Sequence, residues 1–291
     1  MVILITGITS GFGRAIARQL SADGHKVYGT YRKDSDPLPG VTYIKADVRD
    51  QESLKNAVSR VMETEGRIDT LISNAGMGIG GPLEFTSIED AQHQMDVNFM
   101  GMVRLLNLVV PIMRGQRHGH IICISSIGGL MGLPYQGMYS ASKFAIEGYC
   151  ESLRLELRRF NINVTVINPG DFSTGFTAQR GKVCSPEALA AYPGYSRSME
   201  SIEHDENTGL KPERLARRIS RIVTRKHPRN RYIIATFIQK ASVFIKKLLP
   251  PKWYDKIIVS YDWAEEVFML PRPFFCHGPM PLLSLYAIFA I

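Results

Sequence analysis

A short apolar run, Val2 to Thr6, meets a glycine-rich turn, Gly7-Ile8-Thr9-Ser10-Gly11-Phe12-Gly13, which opens into helical periodicity through Ala15, Ile16, Ala17 and Leu20. Such a run reads as a parallel strand covered on both faces. Strand, turn and helix in that order make a phosphate cradle. The glycines let backbone approach a pyrophosphate, and the free N–H groups and dipole of the helix N-terminus favour its charge. Gly7, Thr9, Ser10, Gly11, Phe12 and Gly13 are therefore candidate cofactor residues. Their spacing, Gly-x-x-x-Gly-x-Gly, departs from the general dinucleotide form.

The same alternation continues down the chain. Lys26 to Thr30, Thr42 to Lys45, Thr70 to Ser73, Ile121 to Ile124, Asn163 to Ile167 and Arg231 to Ala235 read as strands. Helical patterns separate most of them: Gln51 to Glu65 with Leu54, Val58, Val61 and Met62 on one face, a helix from Ser87, and one from Tyr139 to Phe160. Asp34 to Gly40 holds two prolines and a glycine, so the helix expected between the second and third strands is short or absent. Strands alternating with helices predict an α/β fold, a single Rossmann-like doubly wound parallel sheet.

Two positions in that frame carry chemistry. Tyr139 and Lys143 are four residues apart and share a helix face. A neighbouring ammonium favours phenolate, so Lys143 is expected to pull the Tyr139 pKa down toward the working range. Ser126, just past a strand, can donate to a carbonyl or alkoxide oxygen held beside the phenol. Within the helix from Ser87, Asn98 and Gly101 are poor helix formers close together, which predicts a local distortion. At the end of the second strand, where a dinucleotide fold reads the adenosine ribose, the chain has Thr30, Tyr31, Arg32 and Lys33 and no carboxylate. A guanidinium pairs with a 2′-phosphate that a carboxylate would repel. NADP(H) is accordingly preferred, with Arg32 and the Ser10 hydroxyl as ligands, and NAD(H) stays open.

Ser126, Tyr139 and Lys143, with the glycine turn, resemble the short-chain dehydrogenase/reductase family, whose own turn has this glycine spacing. The resemblance covers about Val2 to Ala235. It implies that Asp47 contacts adenine with Val48 packing on the ring. Asn74-Ala75-Gly76, a version of the family's Asn-Asn-Ala-Gly with Ser73 in first place, would serve the cofactor. Asn98 would hold a water relaying protons toward Lys143, which also binds the nicotinamide ribose along with Tyr139. Pro169, Gly170 and Thr174 would lie near the carboxamide. The segments around Gly128 to Pro134 and Ser142 to Gly148 look most like the branch of 17β-hydroxysteroid dehydrogenase type 1 and retinol dehydrogenase. The implied activity is NADP(H)-dependent interconversion of a carbonyl and a secondary alcohol on a lipophilic substrate, by a homodimer or homotetramer.

Residues 179–209 lack clear periodicity and are expected to be a substrate lid, within a dinucleotide-binding domain of residues 1–235. A helical extension and apolar tail, 236–291, follow, with helical patterns at Phe237 to Leu249 and Tyr254 to Tyr261. The formal charge of +8 concentrates between Lys211 and Lys256, including a basic amphipathic helix over Pro212 to Lys226. That charge fits a solvated face, an anionic membrane or an acidic carrier protein, and no motif for nucleic acid accompanies it. It keeps a 3-oxoacyl carrier-protein reductase as the enzyme alternative. A dinucleotide-binding redox sensor is the non-enzyme alternative, against which the intact Asn98, Ser126, Tyr139 and Lys143 argue. Four cysteines without metal spacing suit a reducing, cytoplasmic setting, and no metal is expected. Met1 leads straight into a strand, and the longest late apolar run, Leu282 to Ile291, is too short to span a bilayer.

Overall fold

In the computed structural model, which describes residues 1–183 and 185–262, nine strands occur. They are β1 (Val2–Thr6), β2 (Lys26–Tyr31), β3 (Val41–Lys45), β4 (Thr70–Ser73), β5 (Ile79–Gly80), β6 (Gly119–Ile124), β7 (Ile162–Pro169), β8 (Gly181–Lys182) and β9 (Arg231–Ile234). Seven form one parallel sheet in the order β3-β2-β1-β4-β6-β7-β9; β5 and β8 pair separately. Leu4 stands opposite Tyr28 on one side and Leu71 on the other. The chain winds outward from β1 to β3 and then crosses to β4, so the topological switch lies between β1 and β4. Doubly wound sheets bind ligands at that crevice, beyond the carboxyl ends of the strands.

Helices α1 (Gly11–Ala22), α2 (Gln51–Glu65), α3 (Ile88–Met95), α4 (Gly101–Gln116) and α5 (Gly137–Leu157) flank the sheet, with α9 (Pro212–Val223) against α1. Two apolar cores result. Leu4, Leu71, Ile121 and Val164 pack with Leu54 and Val61 of α2, Leu105 and Val109 of α4, and Ile146 of α5. On the opposite face Ile3, Ile5, Ile72 and Ile167 pack with Ile16 and Leu20 of α1 and Leu215 and Ile219 of α9. No helix lies between β2 and β3. As Asn98 and Gly101 led one to expect, a π-turn over Asp96–Met100 joins α3 to α4. The joined stretch 88–116 is long and apolar enough to cross a membrane by length and composition. Its Met102, Leu105, Leu106, Val109 and Met113 are instead buried against the sheet.

Residues 179–209 depart from the aperiodic loop expected of them. They hold β8, α7 (Pro186–Ala191) and α8 (Tyr195–Thr208), preceded by α6 (Phe176–Gln179). Helix α8 turns Tyr195, Ser198 and Met199 inward, and farther along Ile202 and the carboxylates Glu203 and Glu206 are half-buried. Those carboxylates pair with Lys182 and Arg180. The helix mixes apolar Tyr195, Met199 and Ile202 with inward carboxylates, so its period is weak in hydropathy.

By packing, the chain divides into two compact units, Met1–Thr236 and Phe237–Ile291. In the second, α10 (Phe237–Leu248) and α11 (Pro251–Asp262) are described. The expected apolar tail, with Cys276 and Leu282 to Ile291, lies outside the described residues, as does Cys184.

Candidate active site

Thr6, the last residue of β1, ties the crevice together. Its hydroxyl accepts from the Asn74 and Ala75 amides at 2.9 and 3.0 Å. The Asn74 side chain donates in return to the Thr6 and Gly7 carbonyls at 2.9 and 3.1 Å. Asn74 thus spends its amide holding the glycine turn in shape. Gly13 sits where the turn enters α1, and a Cβ there would stand 2.0 Å from the Gly7 carbonyl oxygen. Gly7 itself has φ +72° and lies under Ala75. Ser10 caps α1 in extended conformation without a side-chain cap bond. The turn is a bare backbone concavity at a helix N-terminus, which fits a pyrophosphate. Phe12 turns its ring edge-on to Phe172 at 5.0 Å, and Gly11 faces Thr174. The phosphate turn and the segment after Pro169 and Gly170 therefore form one wall. Thr9 lies half-exposed beside Ser10.

Arg32 is exposed at the end of β2, and its charge reaches Asp47 beyond β3. Asp47 is held below the usual carboxylate range chiefly by hydrogen bonds from Arg49, whose Nη2 lies 2.6 Å away. Val48 packs against Gly101, just after the π-turn. Arg14, inside α1, donates to the Asp36 carbonyl at 2.8 Å and adds a second guanidinium near the β2 end. Arg14 and Arg49 escaped the sequence reading because neither stands in a motif.

Ser126 follows β6 and caps a short 3₁₀ turn, accepting from the Gly128 amide at 3.0 Å. Its hydroxyl and the Tyr139 ring flank Gly128, where a Cβ would lie 3.5 Å from Ser126 Oγ and 3.3 Å from Tyr139 Cε1. The Tyr139 pKa is pushed up to about 12, first by burial, with Glu206 and Asp171 adding to the rise and Ser126 and Arg180 opposing it. The lowering expected from Lys143 is not among these causes, and burial sets the direction upward instead. Lys143 is itself pulled down to about 8 by burial, offset partly by Cys123 and Glu147. Its ammonium donates to the Ile124 carbonyl at 3.0 Å.

Asn98, within the π-turn, is 2% exposed. Its Oδ1 accepts from the Met77 amide at 2.8 Å, while Nδ2 donates to the Met77 carbonyl at 2.9 Å and to Ser142 Oγ at 3.0 Å. Ser142 in turn donates to the Tyr139 carbonyl at 2.7 Å. A Cβ on Gly76 would lie 3.4 Å from Asn98 Oδ1 and 3.7 Å from Lys143 Nζ. Asn98, Gly76, Lys143, Tyr139 and Ser126 are therefore brought to one place at the carboxyl edge of the sheet. A second buried chain supports Ser126 from behind. Asn168 donates to the Ser126 carbonyl at 2.9 Å and to Glu147 at 2.6 Å, and Glu147 meets Arg231 at 2.6 Å. These three residues were invisible in sequence, since they act through tertiary contacts.

The model of the short chain dehydrogenase family matches residues 1–184. The chain belongs to the short-chain dehydrogenase/reductase family. Like other members it is an oxidoreductase acting on CH–OH donors. The 3-ketodihydrosphingosine reductase of Bacteroides thetaiotaomicron is 46% identical over 250 residues, 86% of this chain and 93% of that one. Estradiol 17-beta-dehydrogenase 1 of Rattus norvegicus is 41% identical over 191 residues, 60% of this chain and 55% of that one. Human retinol dehydrogenase 8 is 37% identical over 206 residues, 66% and 64% of the two chains. The chain thus spans between half and two thirds of the last two, and these likenesses set it in the steroid and retinol dehydrogenase branch. A short-chain dehydrogenase from Streptomyces avermitilis shares the fold with a TM-score of 0.72 at 25% identity, covering 93% of this chain and 98% of that one.

Proposed function

We propose that the protein reduces a ketone on a lipophilic, long-chain substrate to a secondary alcohol, using NADPH. The observation that carries this reading is the gathering of Ser126, Tyr139, Lys143 and Asn98 at the carboxyl edge of the sheet, with the Tyr139 ring facing an aromatic cap. Phe176 lies 6.0 Å from the Tyr139 ring, and Tyr135 meets Tyr192 edge-on and Tyr195 at a tilt. A phenol held near pKa 12 keeps its proton at neutral pH, which suits proton donation to a carbonyl oxygen. Ser126 holds that oxygen and stabilises the charge that grows on it. Lys143 contributes a positive charge beside the phenol, and Asn98 fixes the β4 loop against the catalytic helix. When bound, the nicotinamide supplies the hydride. The likeness to a 3-ketodihydrosphingosine reductase, over nearly the whole length of both chains, favours a long-chain ketone over a steroid or retinoid.

The bare glycine turn would hold the pyrophosphate, with Arg32 and Ser10 on the 2′-phosphate and Asp47 and Val48 at the adenine. Dimerisation through α5 is supported by Phe144 and Leu155, exposed at 43% and 71% on one helix face. Contact with an anionic membrane is supported by α10, which exposes Phe237, Ile238, Phe244 and Leu248 beside Lys240 and Lys247.

The reading is tested by following NADPH oxidation with long-chain, steroid and retinoid carbonyls, with NADH alongside. Turnover is expected to be fastest with the long-chain ketone and NADPH. A steroid or retinoid carbonyl turned over faster would move the protein to that chemistry, and no turnover of any carbonyl would overturn the proposal.

A further inference from the structure

At its carboxyl end the sheet hands over from backbone to side-chain pairing. Ile124 of β6 stands opposite Ile167 of β7, and the Ser125 amide donates to the Ile167 carbonyl at 2.8 Å. One residue later the chain turns away to present Ser126, and the Asn168 side chain takes up the connection. Its Nδ2 donates to the Ser126 carbonyl at 2.9 Å and to Glu147 Oε1 at 2.6 Å. Both partners are acceptors, so the amide nitrogen, with its two hydrogens, has to face them. Glu147 lies one turn beyond Lys143 and two beyond Tyr139, on the same face of α5. Its other oxygen accepts from Arg231 Nη2 at 2.6 Å. A continuous polar link therefore runs from the helix of Tyr139 and Lys143, through β7, to the turn that carries Ser126.

Satisfying buried groups does not explain this link. The Ser126 carbonyl already accepts from the Gly129 amide at 3.0 Å. Asn168 is fully buried, and its Oδ1 has no hydrogen-bond partner among the described residues. An apolar side chain at this strand position would carry no such cost, and a buried ion pair is seldom a net gain over packed apolar residues. What the link supplies is position. Ser126 comes from the end of β6 and Tyr139 from α5, and the two flank Gly128. A displacement of about 1 Å between groups that must act on one atom can cost on the order of a hundredfold in rate.

We infer that Asn168 and Glu147 are positioning residues for ketone reduction, holding the Ser126 hydroxyl at the separation from the Tyr139 phenol that a shared carbonyl oxygen requires. Arg231 acts one step further back, balancing the Glu147 charge and fixing its second oxygen. The three work through the place they give Ser126, not on the reacting atoms. This rests on the ketone-reductase reading above.

The link is cut from either end, by Asn168→Ala and by Glu147→Leu/Arg231→Leu, which removes both charges together, so one variant serves where the other does not fold. Each cut is made in the wild type and in Ser126→Ala, and the two are also combined. Thermal unfolding and NADPH titration report the fold, and turnover of a long-chain ketone with NADPH gives kcat. Each cut is expected to lower kcat by about tenfold or more, with the NADPH dissociation constant within about threefold of wild type. Because both break one link, the combined variant should fall no more than about threefold below either single cut. In Ser126→Ala, which has no hydroxyl left to place, either cut should cost less than about threefold. Glu147→Gln, which keeps an oxygen for Asn168, should hold kcat within about threefold of wild type even where its melting temperature falls. Wild-type kcat in a folded cut variant overturns the inference and leaves the link a purely structural one. An undiminished loss in Ser126→Ala also overturns it, by showing that the link acts on another group. No ketone turnover by the unaltered protein removes the reductase reading itself.

Discussion

The ammonium of Lys143 lies 5.6 Å from the centre of the Tyr139 ring and donates a hydrogen bond to the Ile124 carbonyl at 3.0 Å. The lysine is thereby bound to the end of β6, the strand that delivers Ser126, as well as standing beside the phenol. Burial governs both groups, raising the tyrosine to about 12 and lowering the lysine to about 8. Their titrations therefore separate, and the pH dependence of the reaction can be assigned.

Reduction needs the phenol protonated and is helped by the ammonium. Tyr139 keeps its proton throughout the neutral range, so kcat/KM for ketone reduction is expected to be flat below pH 8 and to fall above it as Lys143 deprotonates. Lys143→Arg, whose side chain stays charged, should lose that descending limb even though its absolute rate is lower. A limb that persists in Lys143→Arg would assign the titration to another group.

The same shift bears on stability. Lys143 titrates at about 8 in the fold and at its ordinary 10.5 when unfolded. Between these values the unfolded chain binds the extra proton, so stability rises as pH climbs from about 8 to 10.5; below 8 the full penalty is present. A displacement of that size is worth roughly 3 kcal/mol, less what the bond to Ile124 returns. Lys143→Met should therefore raise the urea midpoint of the cofactor-free protein at pH 7, with the gain shrinking from about pH 8 upward and gone by about 10.5. A lower midpoint at pH 7 would show the buried charge to be a net stabiliser.

Two glycines make a contrasting pair. An alanine at Gly13 would drive its Cβ into the Gly7 carbonyl at 2.0 Å, whereas at Gly148, mid-way along α5, nothing lies within 4 Å. Gly148→Ala should stabilise by about 0.5–1 kcal/mol through helix propensity. Gly13→Ala should weaken NADPH binding by more than about tenfold, because the turn can no longer close on a pyrophosphate. Calorimetric titration of the Gly13→Ala protein with NADPH gives the answer, and wild-type affinity would mean that the turn does not hold the cofactor.

Arg32→Asp replaces the cation at the end of β2 with the carboxylate that accepts from a ribose 2′-hydroxyl. The ratio of kcat/KM for NADPH to that for NADH should fall by on the order of a hundredfold. An unchanged ratio would shift the 2′-phosphate contact to another cation, such as Lys33 or Arg14.

The sheet was legible because each strand is a short apolar run between polar helices, and Gln51–Glu65 and Thr70–Ser73 fall where the sequence puts them. Asn98 and Gly101 announced the π-turn, since both weaken an α-helix. The cap was less legible: the inward side of α8 mixes Tyr195, Met199 and Ile202 with Glu203 and Glu206, which hydropathy counts as exposed. Asn168, Glu147 and Arg231 form a buried chain across 84 residues of sequence, and no local pattern links them. For the Tyr139 titration, the error lay in the environment. Sequence shows the neighbouring lysine but not the depth of burial, which decides the sign.

The most direct measurement is NADPH oxidation by Tyr139→Phe with a long-chain ketone, alongside its NADPH dissociation constant. The phenylalanine keeps the ring packed on Phe176 and removes only the proton donor. A loss of at least about a hundredfold in kcat, with the dissociation constant within about threefold of wild type, is the expected result. Turnover that survives the substitution would contradict the role of Tyr139 as the acid, and with it the proposed mechanism.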